Sequence, residues 1–194
     1  MLLLKEIGKI SSNGVDKTSN LSDRKVNLLN YMDVYNAIPV TPENAIELMQ
    51  VTATENQIKE KNILKGDIFF TPSSETREDI CKCNEIVYDL PNTVYSYHIV
   101  RFRPKSNYFS LGFGKFCFNS DLFRKQMIII CQGVQRYTLS ISAFENAIIK
   151  LPSIQEQECI TAFLTSIEKM ISVEKSILSL YDKQKADLLQ NLFI

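Results

Sequence analysis

The stretch LPSIQEQ at residues 151–157 opens the most regular part of this sequence. Ser153 is followed three residues later by Glu156, and this spacing has the form of a capping box at a helix start. An apolar run begins just beyond it, and no Gly or Pro interrupts the sequence as far as Ile194. The sequence therefore predicts one helix of about forty residues, roughly 60 Å long.

Apolar residues recur along this predicted helix at alternating steps of four and three. The ten positions are Ile160, Leu164, Ile167, Ile171, Glu174, Leu178, Tyr181, Lys185, Leu188 and Leu192. Eight of the ten are apolar, which is typical of a heptad seam. The helix is too polar to span a bilayer. Because it cannot bury its seam against itself, we expect a partner helix from a second copy, another subunit, or both.

The two polar seam positions indicate how a second copy would pair. A two-fold antiparallel arrangement that places Glu174 opposite Lys185 pairs both charges. A parallel arrangement would place each charge against its own copy, which repels twice. The antiparallel register also sets Leu178 opposite Tyr181, Ile171 opposite Leu188 and Ile167 opposite Leu192. The sequence thus predicts an antiparallel homodimer with these eight residues at its interface.

Composition bounds the class of protein. The chain has 194 residues, 45% of them hydrophobic and 23% charged, which fits one globular domain with an appendage. Its formal net charge is zero, so no global basic signal demands nucleic acid. The five cysteines are an odd number, and the apolar run before Lys5 is too short for a signal peptide. We therefore expect reduced thiols and a cytoplasmic location.

Patterning predicts an α+β fold, with a mixed α/β domain over residues 1–150 and the long helix over 151–194. The Lys65-Gly66-Asp67 sequence predicts a turn before a strand. Predicted strands are Lys5–Ile10, Leu28–Tyr35, Ile68–Thr71, Glu85–Leu90 and Val94–Arg103. Predicted helices run from Thr41 to about Gln50 and from about Asn119 to Cys131, with a short helical turn capped by Ser142.

No motif indicates an active site. His98 is the only histidine, and the alternation around it predicts a packed strand residue. The spacing of Cys81 and Cys83 is too short for a zinc knuckle, and Gly112-Phe113-Gly114 lacks the third glycine of a dinucleotide fingerprint. The residues thus favour a binding module with a helical dimerisation arm over an enzyme. They leave DNA and protein open as its ligand.

Four stretches together resemble the specificity (S) subunit family of type I restriction–modification systems. They are IGKISSNG at 7–14, KGDIFF at 65–70 with SSET at 73–76, GVQR at 133–136 with Leu139-Ser140, and LPSIQEQ at 151–157 with LLQNLF at 188–193. The last is the most specific and is similar to the entry and exit of the family's conserved helix. The family's full-length members have two recognition domains and two such helices, whereas this sequence has one of each.

The resemblance implies a target recognition domain that reads one half of a bipartite site in double-stranded DNA. It implies that the helix docks modification subunits, and that S-adenosylmethionine, ATP and magnesium belong to these and the restriction subunit. Arg136 is the strongest single candidate, because guanidinium binds guanine or phosphate bidentately. The candidate DNA contacts are Lys17, Thr18, Asn20, Ser73, Ser74, Thr76, Arg77, Lys115, Gln135, Arg136 and Tyr137.

Two other functions stay open at this stage. One is a structural adaptor whose helix assembles partners and whose domain binds protein, which the zero net charge favours. The other is the recognition half of a split enzyme that acts only with a catalytic chain. The order of the four stretches favours the DNA-recognition subunit over both.

Overall fold

The computed structural model describes residues 1–17, 20 and 23–192. Its strands are β1 (Leu2–Leu3), β2 (Gly8–Ser11), β3 (Arg24–Leu29), β4 (Met49–Ala53), β5 (Ile68–Phe70), β6 (Ser73–Ser74), β7 (Cys83–Glu85), β8 (Thr93–Tyr95), β9 (Val100–Pro104), β10 (Tyr137–Thr138) and β11 (Ile148–Ile149). Its helices are α1 (Leu4–Ile7), α2 (Tyr31–Tyr35), α3 (Glu55–Glu60), α4 (Phe113–Phe118), α5 (Asp121–Ile130), α6 (Ile141–Glu145) and α7 (Ile154–Leu192), with a 3-10 turn at Ala45–Glu47. The α+β prediction with a long final helix is confirmed.

Two sheets organise the first 150 residues. The central sheet is antiparallel and has the order β2-β9-β5-β7. A second sheet has the order β4-β3-β8, and its β3–β8 pair is parallel. β1 pairs with β11, which brings Leu2 opposite Ile149 and joins the two ends of the domain. β6 pairs with β10, a short ladder that proves central to the candidate site.

Alternation along β5 builds the core on both faces of the central sheet. Phe70 points into a cluster of phenylalanines from α4, α5 and α6, with Phe118 in edge contact at 5.1 Å between ring centroids. Its neighbour Phe69 points the other way and meets Tyr95 of the second sheet at 5.4 Å. All four rings are fully buried. β5 therefore holds the helical layer and the second sheet on one frame.

Local caps explain which helix predictions are correct. In α7, the Ser153 N–H donates to the Glu156 carboxylate at 2.9 Å, and the Glu156 N–H donates back to Ser153 Oγ at 3.3 Å. This confirms the capping box. α5 begins after Ser120, whose hydroxyl accepts from the Phe123 N–H as predicted. α6 is also present, but its cap is Ser140 rather than Ser142, since the Ala143 N–H donates to Ser140 Oγ.

Two predicted strands near the start are partly wrong. The segment Leu28–Tyr35 ends as a strand at Leu29 and turns into α2, because the Asn30 side chain accepts from the Tyr31 N–H and Asp33 accepts from the Asn30 N–H. The segment Lys5–Ile10 begins with the helical turn α1 and is a strand only from Gly8. In both cases a polar side chain bonds the backbone at the helix start, which overrides strand propensity.

The predicted helix from Thr41 to Gln50 is wrong. Thr41 and Asn44 close a tight turn, in which the Thr41 N–H donates to Asn44 Oδ1 at 2.7 Å. Only a 3-10 turn follows, and from Met49 the chain is strand β4, paired with β3. The pairing with β3 is a non-local interaction that the local pattern does not show.

Two further strand predictions are too long. The segment Glu85–Leu90 is a strand only at Glu85, the last residue of β7. The segment Val94–Arg103 divides into β8 and β9, which belong to different sheets. The turn between them is closed by an Ile99 N–H bond to the Ser96 carbonyl. His98 therefore lies in a turn and is half-exposed, not packed in a strand.

Candidate nucleic-acid interface

One end of the central sheet gathers several polar loops. β5 ends at Phe70, which pairs with Val100 at the start of β9 and with Cys83 at the start of β7. β2 finishes at this same end of the sheet, since its last residue Ser11 pairs with Arg101 near the start of β9. The loops after β2 and β5 and those before β7 and β9 must therefore emerge together. We call the surface formed by residues 12–17, 72–82, 96–99 and 133–137 the loop end.

Two of the predicted DNA-contact loops join directly at this loop end. β6 and β10 pair in antiparallel register, with Ser74 opposite Tyr137. The Arg136 guanidinium donates from Nη2 to Ser73 Oγ at 3.4 Å. The turn before Arg136 requires Gly133, whose φ is +126° and whose added Cβ would lie 2.0 Å from the Arg136 carbonyl oxygen. Residues 63 positions apart in sequence thus form one surface.

Aromatic side chains flank this junction. The Tyr31 hydroxyl donates to the Ser73 carbonyl at 2.6 Å, and its ring stacks on Tyr35 at 5.9 Å. Lys82 lies over the Tyr35 ring, and Arg77 lies over the Tyr137 ring. A cavity of about 310 Å³ opens here, lined by Tyr31, Met32, Tyr35, Ser73, Ser74, Glu75, Thr76, Asp79 and Arg136. Hydroxyls, a guanidinium and ring faces therefore meet in one concave place.

The loop after β2 joins the same end from the other side. The Val15 N–H donates to the Tyr95 carbonyl at 2.8 Å, and the Tyr97 N–H donates to the Val15 carbonyl at 3.2 Å. Two residues further on, Lys17 is exposed. Partial burial lowers the pKa of the nearby His98, and the charges of Lys17 and Arg136 lower it further. The Val15–Tyr97 hydrogen bond therefore joins the loop after β2 to the turn that carries His98.

The remaining predicted residues divide between the loop end and other surfaces. Thr76 is exposed and its hydroxyl donates to Asp79, while Gln135 is exposed beside Arg136. Asn20 instead bonds Thr52 and Asp23. Thr18 lies outside the described residues.

Lys115 does not join the loop end. Its Nζ lies 2.5 Å from Glu168 of α7, and it faces the long helix.

Sequence reasoning missed five residues, three within the loop end and two, Tyr31 and Tyr35, that contact it. Tyr31 and Tyr35 were assigned to a strand, although the Asn30–Asp33 spacing is a capping signal that could have placed them on a helix. Lys82 carried no signal beyond its charge. Tyr97 and His98 were absorbed into a regular strand alternation, and only the break between the two sheets places them at this surface.

The long helix α7 presents a second surface. Its first turns pack on the domain, where the Ser110 N–H donates to Oε1 of the buried Gln157 at 2.8 Å. Thr161 approaches Gly112, and Glu168 meets Lys115. At 3.6 residues per turn these contacts share one face, and the predicted seam lies about 100° around the helix from it. In the described part of the chain, no helix is both long and apolar enough to cross a membrane.

The predicted seam is uncovered in the single chain. Its apolar members from Ile167 onward are 37–69% exposed: Ile167, Ile171, Leu178, Tyr181, Leu188 and Leu192. Glu174 and Lys185 are exposed as well. Between α7 and the domain runs a groove of about 980 Å³, to which Ile171 and Leu180 contribute apolar surface. A large apolar strip without a partner marks an interaction surface.

The fold of this chain is similar to that of several solved structures. The chain aligns with an S subunit from M. genitalium at 10% identity and TM-score 0.57, over 99% of this chain and 45% of that one. It aligns with an HsdS subunit from Thermoanaerobacter tengcongensis at 16% identity and TM-score 0.65, over 97% and 47%. A structure of type I R-M system assembly and conformational transition aligns at 14% identity and TM-score 0.66, over 96% and 42%. The class of fold is therefore that of type I S subunits.

The sequence itself assigns the family. It matches the type I restriction modification DNA specificity domain over residues 2–180, which is most of the chain. The chain therefore belongs to that family, as its motifs indicated. No curated protein matches it in sequence. The chain spans less than half the length of the solved subunits that it resembles.

Proposed function

We propose that this chain reads one half of an interrupted sequence in double-stranded DNA through its loop end. The junction of Arg136, Ser73 and Tyr31 carries the proposal, because it brings three distant segments into one surface. A guanidinium, hydroxyls and backbone groups are what contact base edges and phosphates. The family match supports DNA as the ligand, and the junction supports the loop end as the surface that binds it.

The charge at the loop end suits a modest number of phosphate contacts. Lys17, Arg77 and Arg136 are exposed cations there. Lys82 is partly neutralised by Asp79, whose Oδ1 lies 3.6 Å from its Nζ. Exposed carboxylates of Asp16, Glu75 and Glu78 lie on the same surface, so attraction for DNA depends on where the cations are placed and not on an excess of positive charge.

The partners follow from the family and from α7. We propose that modification subunits dock on the helix and carry S-adenosylmethionine, and that a restriction subunit carries ATP and magnesium. This chain would supply only recognition. The uncovered seam supports a helical partner, since about 40 Å of exposed apolar seam between Ile167 and Leu192 is costly to leave in water.

A second copy of the chain is the partner that we propose for the seam itself. Antiparallel pairing sets Glu174 against Lys185 and apolar residues against each other. The solved S subunits are about twice as long as this chain, so two copies would match one such subunit in length. Two identical domains related by a two-fold axis would then read a palindromic, interrupted site.

An adaptor without its own DNA specificity remains a second candidate. The groove of about 980 Å³ favours it, since the domain and α7 both line this groove and a protein segment could bind there. Zero net charge favours it too. In that case the loop end would not contact bases, and a stable complex with modification subunits would form without directing methylation.

Co-expression with candidate modification subunits tests the proposal. Methylated bases are mapped across the host genome with the wild-type chain and with Arg136→Ala. We expect one interrupted motif to be methylated with the wild type and lost or relaxed with the variant. A stable complex that methylates no defined motif with any modification subunit would favour the adaptor and contradict DNA reading.

A further inference from the structure

The turn between β8 and β9 projects two rings in tilted contact from the loop end. The rings of Tyr97 and His98 have centroids 3.8 Å apart and are inclined by 36°. Tyr97 is 46% exposed, although Ser96 and Ile99, the residues on either side of the Tyr97–His98 pair, are fully buried. The chain thus buries both ends of this turn and leaves only the two rings outside.

The backbone beneath the rings is held on several sides. The His98 N–H donates to Ser96 Oγ at 3.3 Å, and the Ile99 N–H donates to the Ser96 carbonyl. The loop after β2 backs the turn, because a Cβ added at Gly14 would lie 2.2 Å from the Tyr95 carbonyl oxygen. This close approach holds the turn in place before any ligand arrives, which lowers the entropic cost of binding.

The loop after β2 brings charged groups close to the pair, since the Tyr97 N–H donates to the Val15 carbonyl and Asp16 and Lys17 follow Val15 directly. Lys17 and Arg136 lower the pKa of His98 after the larger effect of burial, whereas Asp16 raises it. Lys17 and Asp16 belong to the loop after β2, and Arg136 belongs to the loop before β10. The exposed cation Lys17 on the loop that bonds Tyr97, together with the exposed Tyr97 ring, forms a surface suited to a nucleotide, which offers a phosphate and a planar base together.

We propose that Tyr97 and His98 are a specificity-determining element, in which His98 bonds a base edge next to the base that Arg136 contacts. This inference rests on the proposed function of the loop end. A neutral imidazole presents one donor and one acceptor, so it distinguishes base edges by hydrogen bonding. Tyr97 contacts the His98 ring, restricts its orientation and covers the adjacent backbone sugar.

Position in the fold supplies a matched control. Tyr88 is 47% exposed, almost the same as Tyr97, but it follows β7. Ile68 at the start of β5 pairs with Glu85 at the end of β7, so the chain leaves the sheet there at the end away from Ser73. Tyr88 follows at that other end of the sheet. Removing its ring changes the same kind of surface far from the loop end.

The test is selection from a pool of random duplex DNA by the full chain with its modification subunits. Wild type, Tyr88→Ala and Arg136→Ala are compared with Tyr97→Ala, His98→Ala and His98→Gln. Thermal melting verifies that each variant is folded. We expect Tyr88→Ala to select the wild-type motif. His98→Ala should reduce the preference at one base position by about 5- to 150-fold and leave the other positions unchanged.

The remaining variants complete the pattern. His98→Gln, which keeps a donor and an acceptor, should retain or switch the preference at that one position, and Tyr97→Ala should weaken it. If both Tyr97→Ala and His98→Ala select the full wild-type motif while Arg136→Ala does not, this inference is wrong and the proposed function stands. If the wild type selects no motif, both are wrong.

Discussion

The Lys115 amino group lies 2.5 Å from a carboxylate oxygen of Glu168, so an ion pair joins α4 of the recognition domain to the long helix α7. Lys115 was a candidate DNA contact in the sequence, yet its charge is directed to the helix. We expect Lys115→Ala to leave affinity for cognate DNA unchanged. Because the pair is partly exposed, its loss should lower the free energy of unfolding by at most about 1 kcal/mol.

Equilibrium binding and urea unfolding of the same Lys115→Ala sample check this expectation. The matching variant Glu168→Ala removes the other partner and should have a similar effect on stability. A fall in DNA affinity with Lys115→Ala, but not with Glu168→Ala, would return Lys115 to the DNA-binding surface.

Arg136→Ala is expected to weaken specific DNA binding without unfolding the domain. Its guanidinium is exposed and its bond to Ser73 is long at 3.4 Å, so the fold loses little. A good base contact contributes about 1–3 kcal/mol of discrimination. The measurement is affinity for cognate against scrambled DNA, with thermal melting as the control. An unchanged ratio of the two affinities would leave Arg136 with a phosphate or structural role only.

The dependence of DNA affinity on salt should be moderate for one chain. Lys17, Arg77, Lys82 and Arg136 are the cations placed at the loop end, and Lys82 is shared with Asp79. About four phosphate contacts give a slope of about −4 in a plot of log affinity against log salt. Titrations at several salt concentrations check it. A slope as steep as about −10 would show many more phosphate contacts than the loop end supplies.

Local signals in the sequence predicted the helices that cap themselves. Ser153 with Glu156 and Ser120 before α5 bond backbone groups within a few residues, so periodicity and capping identify both helices. The incorrect secondary-structure predictions lie where a segment pairs with a strand that is distant in sequence. The strand at Met49 exists because β3 lies beside it, and the break before Val100 exists because two sheets share the segment.

The candidate site shows the same division. Ser73 and Arg136 were predicted individually from loop position and side-chain chemistry. Their pairing across the β6–β10 ladder depends on the tertiary fold, and so does the hydrogen bond that joins Val15 of the loop after β2 to Tyr97. Tyr97 and His98 were missed because the residues from Val94 to Arg103 alternate in polarity like one continuous strand. That alternation does not show that the chain leaves one sheet after Tyr95 and enters another at Val100. The chemical character of these side chains could be predicted from local sequence. Which of them lie together in the folded chain could not.

The carboxyl group of Glu85 should make the free energy of unfolding depend on pH. Burial raises the pKa of its carboxyl above the usual value, although the N–H groups of Gly112 and Lys115 donate to it and oppose that shift. A raised folded-state pKa means that the folded chain holds this proton more tightly. The resulting stability is fully present below the unfolded pKa of about 4.3 and is lost as pH rises through the folded value.

The free energies of unfolding of wild type and Glu85→Gln, compared from pH 4 to 7, test this linkage. The wild type should lose stability relative to the variant as pH rises, because the glutamine amide does not ionise. Asp182→Asn makes the same acid-to-amide change on the exposed part of α7 and is the control for the substitution itself. A difference between wild type and Glu85→Gln that stays constant with pH would contradict the raised pKa.

The long helix allows the sharpest test of assembly. In the antiparallel register, the two-fold axis passes between Ser179 and Leu180, and each Glu174 faces a Lys185. Glu174→Lys or Lys185→Glu should each weaken the dimer by placing like charges together within an apolar seam. The double reversal should restore it. Lys169→Glu changes the same charge on the opposite side of the helix and should leave the dimer intact.

Sedimentation of the four variants and wild type measures the dimer constant, and cross-linking fixes its direction. Cys159 is exposed near the start of α7, and the antiparallel register extends the two copies in opposite directions. Two Cys159 residues would then lie about 60 Å apart, since some forty residues of helix separate them at about 1.5 Å each. A short cross-linker should therefore fail to join them. Efficient Cys159–Cys159 cross-linking, or a double reversal that does not restore the dimer, would show that the helices pair in another register.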